Sequence, residues 1–104
     1  MENNANKAAE SDMTRKLVKE SFIERLDEAF QDRVVTVEFS CRDCCKKAIG
    51  GILTRIGKDF IELSSVLPFP IVTFFPGNIV PLVEFATSAI IPLDNVCGVE
   101  SLCI

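Results

Sequence analysis

The chain has 104 residues, 48% of them hydrophobic, and 11 Lys and Arg stand against 15 Asp and Glu for a net charge of −4. That length is one domain, and its eight Phe, with no Trp or Tyr, make the aromatic content wholly apolar. Histidine, the commonest general base and metal ligand, is missing, and every Lys and Arg lies at or before Lys58, so the acidic second half cannot build a phosphate-binding surface.

Residues 1–9 are polar and no apolar stretch follows them, which predicts no signal peptide and synthesis in a reducing cytosol. Five cysteines in that setting point to metal, redox chemistry or late oxidation rather than to a secretory disulfide framework. Residues 1–10, rich in Asn, Ala, Glu and Lys, read as a disordered tail. Residues 11–104 read as the folded unit.

Ser11 is placed to cap a helix over residues 12–31. Met13, Leu17, Val18, Phe22, Leu26, Ala29 and Phe30 recur at three- and four-residue spacing and form one apolar stripe. Arg15, Lys16, Lys19, Glu20, Glu24, Arg25 and Glu28 fall mostly on the other side, a solvated face. The period then changes to 2, and Val35, Val37, Phe39 and Cys41 share one face of a first strand. Residues 42–47 read as a polar loop. A second strand follows over residues 48–56, with Gly50 and Gly51 marking a bend or bulge. Gly57-Lys58-Asp59 is a hairpin turn, and residues 60–65 return as the third strand. Residues 82–93 hold a fourth strand, residues 92–95 turn, and residues 96–103 form a fifth. The expected interior is Val35, Val37, Phe39, Leu53, Ile61 and Leu63.

Between the third and fourth strands, residues 63–83 carry no charge. Their length is that of a membrane helix, but Pro68, Pro70, Pro76, Pro81 and Gly77 interrupt them, and an interior proline costs a helix about 3 kcal/mol. A non-helical apolar segment must instead be buried, and Phe69, Ile71, Phe74, Phe75, Ile79 and Leu82 are more than a small barrel can hold. These six are the expected interface residues, with further copies of the chain as the partner.

The cysteines allow several chemistries. Cys41-x-x-Cys44 has zinc-knuckle spacing, and Cys97 with Cys103 could complete four thiolates; Cys45 stands beside them. Along an extended strand, however, Cys97 and Cys103 lie roughly 20 Å apart at ~3.3 Å per residue, too far for one zinc unless Gly98 breaks the strand. A redox Cys-x-x-Cys works at a helix N-terminus, and this pair ends a strand. At least one of Cys41 and Cys97 reads as an ordinary buried apolar side chain. Cys44 and Cys45 in a polar loop, and Cys103 beside the C-terminus, are reachable, and these three are the expected cross-linking residues. No nucleophile–base pair or paired carboxylates in an apolar setting emerge, so no catalytic residue, metal ligand or cofactor is assigned. Asp59 and Glu62 read as solvated residues flanking the hairpin.

One helix followed by five short bent strands is the element order of an Sm-like (SH3-type) small β-barrel. Gly51-Ile52-Leu53, Asp59-Phe60-Ile61-Glu62-Leu63 and Ile90-Ile91-Pro92-Leu93-Asp94-Asn95-Val96 resemble the two halves of the Sm pattern. The likeness runs over residues 12–104, carried by about twenty of them. RNA-binding members carry an Asn shortly after the Asp, where Leu63 stands here, and Arg-Gly or Lys-Gly where this chain has Ala89-Ile90-Ile91-Pro92. The hairpin is also longer, through Gly57-Lys58. The resemblance therefore implies a mainly β fold, a five-stranded barrel with an N-terminal helix, that assembles into rings or stacks by edge-strand pairing and has lost the residues for RNA. The run from Gly50-Gly51 to Leu63, with Ile90-Ile91-Pro92-Leu93, is also similar, more loosely, to small barrels in coat and exosporium proteins of endospore-forming bacteria.

The expectation that results is a non-enzymatic structural protein that self-assembles and is locked by Cys44, Cys45 and Cys103. Its partners would be itself and other coat proteins, without nucleic acid or a membrane span. It would be made in the cytoplasm and deposited on a spore surface. Two alternatives stay open: an Sm-like nucleic-acid-binding regulator using Arg42, Lys46, Lys47, Arg55 and Lys58, and a zinc-stabilised adaptor.

Overall fold

A computed structural model describes residues 4–101, with side chains from Leu17 onward. Helix α1 (Asn4–Phe30) leads into strands β1 (Val34–Ser40), β2 (Cys45–Ile56), β3 (Phe60–Phe74), β4 (Leu82–Pro92) and β5 (Val96–Ser101), with a 3-10 turn at Leu93–Asn95 before β5. The helix starts earlier than its apolar stripe predicts. It enters the segment expected to be disordered, and Ser11 lies inside it rather than capping it. Met1, Glu2, Asn3 and the last three residues, Cys103 among them, lie outside the described residues.

The five strands form one antiparallel sheet in the order β4-β3-β2-β1-β5. It is mainly β with one helix, as the change of period implies, but the barrel expected from the sequence is not closed. No ladder joins β4 to β5 among the described residues, so both are edges.

Three strands slip register at one level. Val35 pairs with Gly51 and Thr36 with Ile49, which leaves Gly50 as a bulge residue. Its φ of 89° is one that glycine adopts without penalty. In β3, Ser64 pairs with Ser88 and Phe69 with Ala86, so residues 65–68 face Thr87 alone. Pro68 lies in that slip, and Pro70 beside it, where β3 is also out of ladder with β2 between Ser64 and Ile71. Missing N–H donors are tolerated at such positions. This is why β3 runs on through residues expected to form no strand. Bulges bend strands, and the sheet curves around Val35, Val37, Ala48, Leu53, Ile61, Leu63, Phe69, Ile91 and Leu93. Gly51 lies against this core: a Cβ there would sit 3.1 Å from Leu63 Cβ. Of the six expected interior residues five are fully buried, and Phe39 packs against them half-buried.

The helix closes one side of the core with Leu26, flanked by Phe22, Ile23 and Phe30. The chain leaves it through Asp32, whose φ of 61° is left-handed, a common way to end a helix. Asp32 N–H donates to Leu53 O at 2.8 Å and Leu53 N–H to Arg33 O at 3.0 Å, fastening the helix end to β2. Further along, Lys19 Nζ reaches Asp59 Oδ1 at 3.1 Å and Asp94 Oδ1 at 3.2 Å. Hydrogen bonds from Lys19, first to Asp59 and then to Asp94, raise its pKa above 10.5. Leu93 N–H donates to Asp59 O at 2.8 Å, so one lysine ties the helix to both the β2–β3 turn and the 3-10 turn.

Candidate assembly interface

Residues opposite one another in a ladder share a face, and the face alternates along each strand. Cys45 pairs with Phe74, Lys47 with Val72 and Val72 with Val83, and Pro70 pairs with Phe85. Cys45, Lys47, Pro70, Val72, Phe74, Val83 and Phe85 therefore share the outer face of this half of the sheet. The opposite face carries Ala48, Phe69 and Thr73, which are buried. Phe74 is 48% exposed and Phe85 70%, with Val83 between them also exposed. Phe75, Ile79 and Val80 extend the apolar surface through the β3–β4 connection, and Val66 and Leu67 project from the β3 slip, whereas Leu82, paired with Thr73, is exposed at the rim of the opposite face. The free edge of β4 borders the patch.

The six expected interface residues divide. Phe74, Phe75, Ile79 and Leu82 are exposed. Phe69, at 2% exposure, belongs to the core, and Ile71 packs half-buried against it. Both follow from β3 continuing as a strand, which turns Phe69, Ile71 and Thr73 inward together. Val83 and Phe85 were not singled out from the sequence. Residues 69–74 and 82–86 are apolar on both faces in part, so no alternation marks the outward side chains.

The cysteines also divide. Cys41 and Cys44 are joined as a disulfide across the β1–β2 turn, with Cα atoms 5.0 Å apart. Cys44 is thus paired within the chain instead of free to cross-link, and Cys41 is neither an inert core residue nor fully buried. Cys45 and Cys97 are free and exposed, so neither Cys41 nor Cys97 is the buried apolar side chain expected of at least one of them. Cys103 lies outside the described residues. Among the described residues no three Cys, Asp or Glu side chains gather where they could hold a metal ion. Residues 40–45 and 74–76 line one shallow depression, which makes the disulfide hairpin contiguous with Phe74 and Phe75.

The basic residues do not converge. Lys47 Nζ pairs with Glu38 Oε1 at 3.4 Å, and Arg55 Nε with Glu62 Oε2 at 3.9 Å. Glu62 is thus half-buried and partnered rather than simply solvated. Arg42 and Lys58 flank opposite ends of the 12-residue β2, up to roughly 40 Å of strand at ~3.3 Å per residue. No helix among the described residues is long and apolar enough to cross a membrane. No protein family, curated protein or solved structure matches this chain.

Proposed function

We propose that this protein is a non-enzymatic structural protein that self-associates through the outer face of the β3–β4 half of its sheet. The observation that carries the reading is the contiguous patch of Phe74, Val83 and Phe85 beside a free strand edge. Monomeric proteins rarely leave a continuous apolar surface of this kind unpartnered. Fully burying a side chain such as Phe is worth about 1.5–3 kcal/mol, and with several per copy the gain outweighs repulsion from a charge of −4. Edge pairing of β4 would add main-chain hydrogen bonds. The Sm-like likeness favours rings or stacks as the form of assembly, and the looser coat-protein likeness favours a spore surface as its place. Sizing the reduced wild-type protein beside Phe74→Ser and Phe85→Ser tests the reading. The wild type should run as a larger species and each variant as a smaller one; unchanged size in both variants would remove the patch from the interface.

A further inference from the structure

The hairpin at the rim of the patch holds two sulfur species side by side. Cys41 and Cys44 form a disulfide, and the next residue, Cys45, is an exposed free thiol. Cys45 opens β2, paired on one side with Ser40 and on the other with Phe74. Its side chain belongs to the outer face, in the same row as Phe74. The disulfide lies across the depression that Phe74, Phe75 and Pro76 help to line. A thiolate attacks a disulfide through a mixed disulfide, and no outside oxidant is required. Within one chain, attack on Cys44 would close a strained ring between adjacent residues, whereas an associated copy meets no such limit.

We infer that this hairpin is a self-contained cross-linking site: the Cys45 thiolate of one copy attacks the Cys41–Cys44 disulfide of another. A bond forms between Cys45 and one of the two sulfurs, the Cys41–Cys44 bond breaks, and the expelled sulfur leaves as a thiolate that takes a proton from solvent. One disulfide and one thiol enter and one of each leaves, so there is no net oxidation. The released thiol can attack the next copy, and covalent linkage spreads through an assembly on the oxidising equivalent each chain already carries. Because two chains must first be held together, the step rests on the self-associating reading. In a two-fold contact of like patches, each hairpin is brought to the patch of its partner.

The experiment uses the full chain carrying Cys97→Ser and Cys103→Ser, so that only Cys41, Cys44 and Cys45 remain. Protein with the disulfide formed is trapped in acid, then brought to mildly alkaline pH under nitrogen with a chelator, and samples are quenched with N-ethylmaleimide. Disulfide-linked dimers and larger species should accumulate on non-reducing gels while the thiol count stays at one per chain. Adding Cys45→Ser, or blocking Cys45 with N-ethylmaleimide beforehand, should abolish them, and so should Cys41→Ser with Cys44→Ser. Linkage that needs oxygen and consumes thiols, or that persists without Cys45, would overturn the inference. Absence of linkage in protein that still sediments as an oligomer would overturn it as well, leaving self-association intact; a protein that is monomeric throughout would instead remove the reading beneath it.

Discussion

Thr73 is 1% exposed, and its hydroxyl has no hydrogen-bond partner. It faces inward in β3 with Phe69 and Ile71, where β3 lies between β2 and β4. A buried hydroxyl without a partner costs about 1–3 kcal/mol. Valine has nearly the same shape and puts a methyl in the hydroxyl's place, and a buried methyl is worth about 0.8 kcal/mol. Thr73→Val should therefore stabilise the fold by at least about 1 kcal/mol, even though most core substitutions destabilise. For a domain of this size, 1 kcal/mol moves Tm by about 4–8 °C, so a rise of at least about 4 °C is expected. Thr73→Ser keeps the hydroxyl and deletes the methyl, and should lower stability by about 1 kcal/mol. Urea denaturation at one fixed protein concentration reads both, since association shifts apparent stability. The midpoint should move up for Val and down for Ser with the slope unchanged. A Thr73→Val protein less stable than wild type would refute the reasoning, because it would mean that the hydroxyl is satisfied in the fold.

Thr36, 4% exposed and likewise unpartnered, lies two strands from Thr73 and three residues along from it, level with Ile49 where Thr73 is level with Lys46, roughly 14 Å away by strand spacing and rise. Thr36→Val with Thr73→Val should accordingly give additive midpoint shifts in urea; a combined gain no larger than either single one would contradict this. Gly51→Ala should lower stability, because the new Cβ meets Leu63 Cβ at 3.1 Å and Leu63, fully buried in a strand flanked on both sides, has no room to back away; a thermal melt at or above the wild-type Tm would count against that packing. Lys19→Met should lower Tm at neutral pH. Lys19 has its pKa raised above 10.5 in the folded state by Asp59 and Asp94; what it contributes is complete below that value and lost as pH rises past it. The Tm gap should thus hold to about pH 10 and close above 10.5, and a gap unchanged in strong alkali would exclude the tie. Phe85→Ser should weaken association: at 70% exposure, burial in a partner is worth about 2 kcal/mol, or about thirtyfold in Kd per copy, measurable by sedimentation equilibrium.

The parts of the fold that were legible in the sequence are those where one periodicity acts alone. Val35 and Val37 alternate with neighbours across a half-buried strand, and Gly57-Lys58-Asp59 can only turn. Gly50 announced its bulge because a residue without a Cβ is inexpensive at positive φ and has little other use within a strand. The extent of β3 was hidden because proline is normally evidence against an interior strand, and only the coincident slip of three strands makes Pro68 and Pro70 acceptable. That alignment is a property of the sheet, invisible in any one segment. Closure of the barrel was equally out of reach, since it depends on whether β4 and β5 meet. In the site, exposure of Phe74 and Phe75 followed from counting more apolar bulk than the core could hold. Counting does not say which residues are left out, so it places Phe69 at the surface and gives no sign of Phe85. The Cys41–Cys44 bond was obscured because the same spacing serves zinc, redox chemistry and a hairpin disulfide, and only the meeting of the two sulfurs across the turn, with no third ligand beside them among the described residues, selects among them.

Whether the outer face of β3 and β4 joins copies of this chain is read by sedimentation equilibrium of the wild-type protein at micromolar concentration with reductant present. Disulfide linkage is then removed and only the apolar patch and strand edges can hold copies together. A mass that is a multiple of the 11.5 kDa chain and falls on dilution is the predicted result. A stable mass of one chain across the micromolar range would mean that this face joins no copies.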